Sequence, residues 1–283
     1  LQIKEVQRST MKAKIISALS YILLSLSTAI MIFPLIILIT RAFLSPNEPA
    51  AVGFVSNMIF SVSLEQFKVL FLGNEEFFYL CFRSFGISIL IVFFQILLAL
   101  PLALLMGLFK FRGRLFILSL YIFVQFLPAA ATILPNYITL RDLGLLNTHA
   151  AIIIPSIFSP LGALVLTPYV LSIPRDTIEA SLLETDDLFV VFKNIILPQI
   201  SSGLSLLFII SFTETWNMVE APQAFLENPL LHPLSLSLNS IFKTDAVINH
   251  AGVLMYLLPP VLLLLCINSF FEINIHIYPA RIK

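Results

Sequence analysis

Long apolar runs are the feature of this sequence that most restricts what it can fold into. A helix needs about 20 apolar residues to cross the hydrocarbon layer of a bilayer. Six runs reach that length, at residues 15–43, 81–108, 115–137, 150–173, 200–222 and 251–272. None alternates with a period of two residues, which is the pattern of a membrane-spanning barrel. The runs therefore predict an all-α, polytopic membrane protein with six transmembrane helices.

Composition excludes the soluble alternatives. Hydrophobic residues make up 59% and charged residues 11% of the chain, against roughly 45–50% and 25% in soluble domains. So few charges cannot cover a water-exposed surface, and we expect the chain to lie in a lipid bilayer. The 16 Lys and Arg balance the 16 Asp and Glu, which predicts no basic face for nucleic acid. The scattered Cys and His predict neither a metal site nor a cofactor site.

The distribution of Lys and Arg predicts the orientation in the membrane, because positive residues near span ends are retained in the cytoplasm. With the N-terminus inside, most of them fall in cytoplasmic segments. Both termini are therefore expected to be cytoplasmic. Residues 44–80 and 223–250 are placed outside, and residues 174–198 form the longer cytoplasmic stretch.

Two features of the spans bear on their geometry. The polar string Asn136–His149 divides the third run from the fourth and predicts a tight turn between antiparallel helices.

Prolines occur within or beside most spans, and proline removes a backbone donor and kinks a helix. They indicate either broken helices around a solute path or ordinary kinks of membrane helices.

The cytoplasmic stretch 174–198 carries the strongest functional signal. Its residues Leu188, Val191, Phe192 and Ile195 follow the spacing i, i+3, i+4, i+7, which predicts an apolar stripe on a helix. The polar remainder is acidic, whereas a helix lying on a membrane surface is normally rich in Lys and Arg. The stripe favours docking into a groove of another protein. Packing under the chain's own helices is the alternative.

The same stretch resembles the cytoplasmic loop of ATP-binding-cassette importer permeases, which reads Glu-Ala-Ala, three residues, Gly, nine residues, Ile-x-Leu-Pro. Here Glu179-Ala180-Ser181 and Ile195-Ile196-Leu197-Pro198 match its two ends at unchanged spacing, with Ser181 for Ala and Thr185 for Gly. Further segments stand in the order typical of the MalG-like carbohydrate permease group: Phe111–Arg114, Leu143–Thr148, Ser172–Pro174, Trp216-Asn217 and Leu258–Pro260. In that family an acidic residue often follows Trp-Asn. Here Met218 follows, and Glu214 stands two residues before the Trp.

The resemblance implies half of the translocation pathway of an importer for a sugar or sugar derivative in the bacterial inner membrane, working by alternating access. The implied partners are a second permease subunit, two copies of an ATP-binding-cassette ATPase and an external solute-binding protein. ATP-Mg would be bound by the ATPase subunits, because the chain contains no Gly-x-x-x-x-Gly-Lys-Ser/Thr. We therefore expect a non-catalytic chain without a cofactor of its own. Its expected division is an N-terminal part, 1–80, and a core permease domain, 81–283, with the coupling loop 174–198.

The resemblance also names candidate residues for coupling to the ATPase. They are Glu179, Ala180, Ser181, Leu182, Leu183, Glu184, Thr185, Leu197 and Pro198. Thr185 precedes two acidic residues and the stripe, so it is predicted at negative φ as the N-cap of the second short helix of the loop.

The candidates for the pathway are Glu214, Trp216 and Asn217. A carboxylate at membrane depth is costly enough to indicate a cavity or a partner, with a structural hydrogen bond near the outer interface as the alternative for Glu214. Interfacial anchoring is the alternative for Trp216.

Two other classes of protein are alternatives to an importer subunit. A self-sufficient secondary transporter or channel for a small polar solute predicts paired ionisable residues within the spans, and Glu214 is almost alone there. A membrane-embedded enzyme requires clustered catalytic residues, and the four His are dispersed along the chain.

Overall fold

The computed structural model describes residues 2–44, 62–73, 75–238 and 249–277, and these residues are almost entirely helical. The helices are α1 Gln2–Ala42, α2 Glu65–Gly73, α3 Glu75–Leu108, α4 Arg114–Gln125, α5 Ala129–Asp142, α6 His149–Ile157, α7 Leu161–Leu171, α8 Arg175–Glu184, α9 Leu188–Gln199, α10 Ser201–Trp216, α11 Glu220–Phe225 and α12 Asn249–Ile277. A π-helical turn, Phe192–Ile196, lies within α9, and a 3-10 turn, Pro229–Leu231, follows α11. Residues 234–238 are helical as well.

The described residues form two compact units. The first contains residues 2–44, 62–73 and 249–255, and the second contains residues 75–238 and 256–277. The coupling loop and all three pathway candidates belong to the second unit. The division predicted from sequence between residues 80 and 81 stays a prediction.

Four described segments are long and apolar enough to cross a bilayer unbroken, namely Ser17–Ala42, Phe77–Leu108, His149–Leu171 and His250–Ile267. Two bent pairs add two further candidate spans, α4 with α5 at 93° and α9 with α10 at 68°. Each of the six apolar runs of the sequence overlaps one of these segments. A multi-pass, all-helical membrane protein is therefore confirmed, with four to six spans.

The link between α5 and α6 corrects a sequence prediction, because Asn136–His149 is not a turn along its whole length. Helix α5 continues through Asp142. It ends in a Schellman motif, in which the N–H of Leu145 donates to the carbonyl of Leu140 at 2.9 Å and the N–H of Gly144 donates to that of Arg141 at 3.0 Å. Gly144 has a φ of 68°, a conformation that glycine accepts without steric cost. The prediction of a turn was wrong because polar side chains occur on an exposed helix face as readily as in a turn.

Close packing between helices holds the second unit together. A Cβ on Gly162 of α7 would lie 2.4 Å from the Cβ of Ala99 on α3, and a Cβ on Gly107 of α3 would lie 2.3 Å from Cγ1 of Val170 on α7. Small residues at such contacts let helix backbones approach closely. The buried core there comprises Ala99, Ala103, Leu166, Val170, Ile173, Val191, Ile196, Ile200 and Leu207.

Candidate functional site

Helix α8 presents most of the candidate coupling residues to the exterior of the chain. Pro174 precedes it in an extended conformation, with φ −60° and ψ 132°. Five candidates on this helix are exposed: Glu179, Ala180, Leu182, Leu183 and Glu184. Of the two leucines, Leu183 is 91% exposed and Leu182 is 40% exposed.

Ser181, which replaces the second Ala of the family loop, is buried. Its hydroxyl donates a hydrogen bond to the carbonyl of Ile178 at 2.7 Å. Serine commonly satisfies itself in this way within a helix. The departure from Ala therefore introduces no unpaired polar group.

The cap of α9 differs from the sequence prediction. Thr185 has a φ of −149°, negative as predicted, but it follows the end of α8 and does not cap α9. Asp187 is the N-cap, and its carboxylate accepts the N–H of Phe189 at 2.8 Å. The hydroxyl of Thr185 accepts the N–H of Asp187 at 3.2 Å instead. A capping oxygen reaches the N–H groups two or three residues further on, so Thr185 lies too early for a helix that begins at Leu188.

The apolar stripe of α9 divides into an outer and an inner part. Leu188 is 72% exposed and the neighbouring Phe189 is also exposed. Val191 is buried in the core, and Phe192 packs against the same core. The alternative that the stripe packs under the chain's own helices therefore holds for its C-terminal part. The surface left open lies on the first turn of α9.

Leu197 and Pro198 lie where the coupling loop joins α10. Helix α9 ends at Gln199, and α10 leaves it at 68°. Ile200 is fully buried at the bend, and the hydroxyl of Ser201 donates to the carbonyl of Pro198 at 2.7 Å. These contacts tie the end of the loop to the helix that carries the pathway candidates.

Glu214 and Asn217 line a cavity of about 820 Å³ within the second unit. Ligand pockets commonly measure about 300–1,000 Å³. Residues of α3, α4, α5, α10, α11 and the α6–α7 break form its wall, and they include a second carboxylate, that of Glu220. Among the described lining residues there is no Lys, Arg or His.

A break in the helix opposite α3 shapes one wall of this cavity. Pro160 has no N–H, so it cannot bond the carbonyl of Ser156 four residues earlier. Gln95 of α3 supplies the missing donor, and its Nε2 lies 2.7 Å from that carbonyl. Gln95 is only 6% exposed, and its Oε1 accepts no hydrogen bond from the described part of the chain. The amide therefore takes over the backbone bond that the proline removed.

Trp216 does not contact the cavity and is not an interfacial anchor, which corrects both sequence interpretations. It is 2% exposed and stacks between Phe212 and Tyr256, at ring-centre distances of 5.7 and 5.4 Å. Its Nε1 donates to the carbonyl of Tyr256 at 3.2 Å. The hydroxyl of Tyr256 in turn donates to Oδ1 of Asn217 at 2.6 Å. Trp216 thus holds α10 against α12 and positions the neighbouring Asn217.

The segment that follows α11 is tied back to the rest of the unit by side chains that the sequence reading did not select. The guanidinium of Arg83 donates to the carbonyls of Leu230 and His232. Asn147, at a φ of 57°, accepts the N–H of Asn228 on its side-chain oxygen at 3.0 Å. The sequence had placed Asn147 only within the polar string Asn136–His149.

Gln95 and Glu220 were also missed. Gln95 had a usable signal, since it is an amide within an otherwise apolar run, and a polar side chain inside a membrane span commonly marks a functional or packing role. Glu220 had none, because it lies at the end of the fifth run where exposed acids are ordinary.

Comparison with known proteins adds an independent observation. A sequence profile of the family described as "binding-protein-dependent transport system inner membrane component" matches residues 99–279. The matched part contains the whole coupling loop and α10, together with most of the cavity lining.

Two characterised relatives span most of the chain. The arabinooligosaccharides transport system permease protein AraQ of Halalkalibacterium halodurans is 25% identical over 248 residues, which cover 86% of this chain and 88% of the relative. The sn-glycerol-3-phosphate transport system permease protein UgpE of Agrobacterium fabrum is 25% identical over 258 residues, which cover 89% of this chain and 86% of the relative.

The fold also occurs in a solved structure. A crystal structure of a bacterial ABC transporter involved in the import of the acidic polysaccharide alginate contains a chain that superposes with a TM-score of 0.74. The two sequences are 17% identical, and the match covers 91% of this chain and 97% of the other.

Proposed function

The chain belongs to the family of binding-protein-dependent transport system inner membrane components, and we propose that it forms half of the translocation pathway of an ATP-driven importer. The family resemblance read from the coupling loop and its flanking segments is confirmed by this membership. In the proposed role the chain catalyses no reaction. It passes solute by alternating access.

The exposed apolar end of the coupling loop is the observation that carries this proposal. Leu182, Leu183, Leu188 and Phe189 are exposed, whereas Val191 belongs to the buried core that α3, α7 and α10 also form. Exposed apolar groups gathered on one short segment are suited to a partner surface. Because the other end of the segment is packed into the core, movement of a docked partner would be passed on to α10.

The partner that fits this segment is an ATPase. Nucleotide can shift the balance between inward-open and outward-open states only through contacts that differ between them. We propose two ATP-binding-cassette ATPase subunits, which bind ATP-Mg, and a second permease subunit that completes the pathway as a heterodimer. An external solute-binding protein would deliver the cargo.

We propose that both termini and the coupling loop face the cytoplasm, in the inner membrane of a bacterium. The excess of Lys and Arg in the segments assigned to that side supports this orientation. The orientation also places the coupling loop where ATP is available.

We propose a sugar or sugar derivative as the class of cargo. The relatives AraQ and UgpE are named for arabinooligosaccharides and for sn-glycerol-3-phosphate. Both compounds are rich in hydroxyl groups, and they differ in charge.

The experiment that tests the proposal removes one exposed side chain from the coupling loop. Leu183→Ser should leave folding intact, because the side chain is 91% exposed. Truncation of an anchor side chain at an interface commonly costs at least about 1–2 kcal/mol. We therefore expect the yield of co-purified ATPase, after co-expression of the four subunits, to fall about tenfold.

Leu230→Ser is the matched control, because Leu230 is also exposed, at 70%, and lies outside the loop. Its ATPase yield should equal that of the unchanged chain. Equal yields for Leu183→Ser and the control would refute docking through this surface. Solute flux by the isolated chain in liposomes would instead establish the alternative, a self-sufficient transporter or channel.

A further inference from the structure

We propose that the cavity lined by Glu214 and Glu220 selects solutes by charge, admitting uncharged, hydroxyl-rich solutes and excluding anions. The inference rests on the proposed function, because it takes this cavity as the chain's own part of the pathway. It adds to that function the inference that the cargo is uncharged.

The charge of the lining is the first observation. Glu214 and Glu220 are both exposed and both line the cavity, and no basic side chain stands among the described lining residues. Among the described residues, neither Glu214 nor Glu220 forms a salt bridge with a Lys or Arg side chain. Unpaired carboxylates in a concave, partly desolvated site repel anions more strongly than the same groups would in bulk water.

The direction of the hydrogen bonds is a second and independent observation. The Nε2 of Gln95 donates to the carbonyl of Ser156, and the Nδ2 of Asn217 donates to the carbonyl of Thr213 at 2.8 Å. Each amide therefore uses one of its N–H groups inside the protein, and the Oδ1 of Asn217 already accepts the hydroxyl of Tyr256. Gln95 is only 6% exposed, and its Oε1 has no hydrogen-bond partner among the described residues.

Two lining hydroxyl groups behave in the same way. The hydroxyl of Ser156 donates to the carbonyl of Ile152 at 2.7 Å, and that of Thr215 donates to the carbonyl of Ser211 at 2.8 Å. Once its proton is engaged, a hydroxyl oxygen can only accept. These two hydroxyl oxygens and the Oε1 of Gln95 therefore offer acceptors, which suit solutes that carry O–H groups. Phosphate and carboxylate groups offer only acceptors at neutral pH and cannot bond to these oxygens.

The test measures the electrostatic potential of the cavity and does not require the cargo to be known. Ser159 lines the cavity and is half-buried, and Ser159→Cys is nearly isosteric. The variant is made with Cys81→Ser and Cys266→Ser, which remove the native thiols, and it is purified with its partner subunits. Three methanethiosulfonates serve as probes: hydroxyethyl, which is uncharged, sulfonatoethyl, an anion, and trimethylammonioethyl, a cation. Ratios of their rates cancel any change in the pKa of the thiol.

The reference thiol is Ser172→Cys, which is exposed and does not line the cavity. Relative to this reference, we expect the sulfonatoethyl-to-hydroxyethyl rate ratio at Ser159→Cys to be about tenfold lower, equivalent to about 1.4 kcal/mol. Glu214→Gln with Glu220→Gln should restore the ratio and leave that of the reference unchanged. If the double variant does not assemble, each single variant should restore part of it.

Equal sulfonatoethyl-to-hydroxyethyl rate ratios at the two cysteines would overturn the proposal. So would a ratio at Ser159→Cys that does not change when Glu214 and Glu220 are replaced by Gln. So would a Ser159→Cys thiol that reacts with none of the three probes, because an admitting cavity must be reachable by the uncharged one. None of these results bears on association with the ATPase, which the Leu183→Ser experiment tests separately.

Discussion

At the scale of single residues, the start of α9 depends on which side-chain oxygen accepts its free backbone N–H groups. Asp187 accepts the N–H of Phe189 within the first turn of α9, whereas Thr185 accepts the N–H of Asp187 before the helix begins. The carboxylate of Asp187 also lies at the positive end of the helix dipole. Asp187 therefore contributes more than Thr185 to the start of α9.

Asp187→Ala should cost about 1 kcal/mol of local helix stability. Thr185→Ala should cost less, because its hydroxyl bonds a residue outside the helix. Hydrogen exchange of the Phe189 amide in the purified chain measures both effects. Faster exchange in Thr185→Ala than in Asp187→Ala would restore Thr185 as the cap.

At the scale of secondary-structure elements, the helix broken at Pro160 depends on a side chain from another helix. Gln95 of α3 bonds the carbonyl of Ser156, which the proline leaves without its helical donor. This contact joins two elements that are 61 residues apart in sequence. The break is thus a fixed feature of the wall of the cavity.

Gln95→Leu should cost about 1–3 kcal/mol, because it leaves a buried carbonyl unpaired. Pro160→Ala returns an N–H to the position four residues beyond Ser156, so the cost of Gln95→Leu should be smaller in that background. Thermal unfolding of the four proteins in detergent gives the coupling between the two sites. Additive effects would mean that Gln95 does not compensate for the proline.

The close contact of α3 with α7 predicts that a larger residue at Gly162 destabilises the chain. Gly162→Ala places a Cβ 2.4 Å from that of Ala99, and overpacking of this kind costs about 1–3 kcal/mol. Ala99→Gly should relieve the clash, so the double variant should unfold at a higher temperature than Gly162→Ala.

Gly86→Ala is the matched control, since a Cβ there meets no atom within 4 Å. It should not destabilise the chain, because Ala is the better helix former. Equal unfolding temperatures for Gly162→Ala and Gly86→Ala would contradict the close packing of the two helices.

At the scale of the whole molecule, the coupling loop is joined to the cavity through a continuous run of chain. It leads from the exposed face of α8, through the buried part of α9 and the bend at Ile200, to α10 with Glu214. Alternating access requires such a connection, because the energy source and the solute lie at different depths.

Glu179→Lys should weaken association with the ATPase and slow transport, while insertion into the membrane stays normal, because the charge is reversed on an exposed residue of the loop. Asp142→Lys is the control, since it reverses an exposed carboxylate at the end of α5, outside the coupling loop. Uptake by reconstituted vesicles and the co-purified yield of ATPase measure the effect. Transport at the rate of the unchanged chain would remove Glu179 from the coupling surface.

The sequence by itself determined the class of fold, the positions of the membrane segments and the family. Span length and hydropathy are local properties of the chain, and the ends of the coupling loop are contiguous residues such as Glu179-Ala180 and Leu197-Pro198. Local information of this kind can be read without knowing which parts of the chain meet. The same reasoning correctly limited Thr185 to negative φ.

Only the tertiary structure decided which side chains the cavity and the core receive. Trp216 was predicted at an interface or in the pathway, and it is buried because Phe212 and Tyr256 close over its two faces. Gln95 became part of the cavity because a carbonyl 61 residues away lacked a donor. Such outcomes depend on partners that are distant in sequence, and a buried polar group is stable only where the fold brings its partner within hydrogen-bond distance.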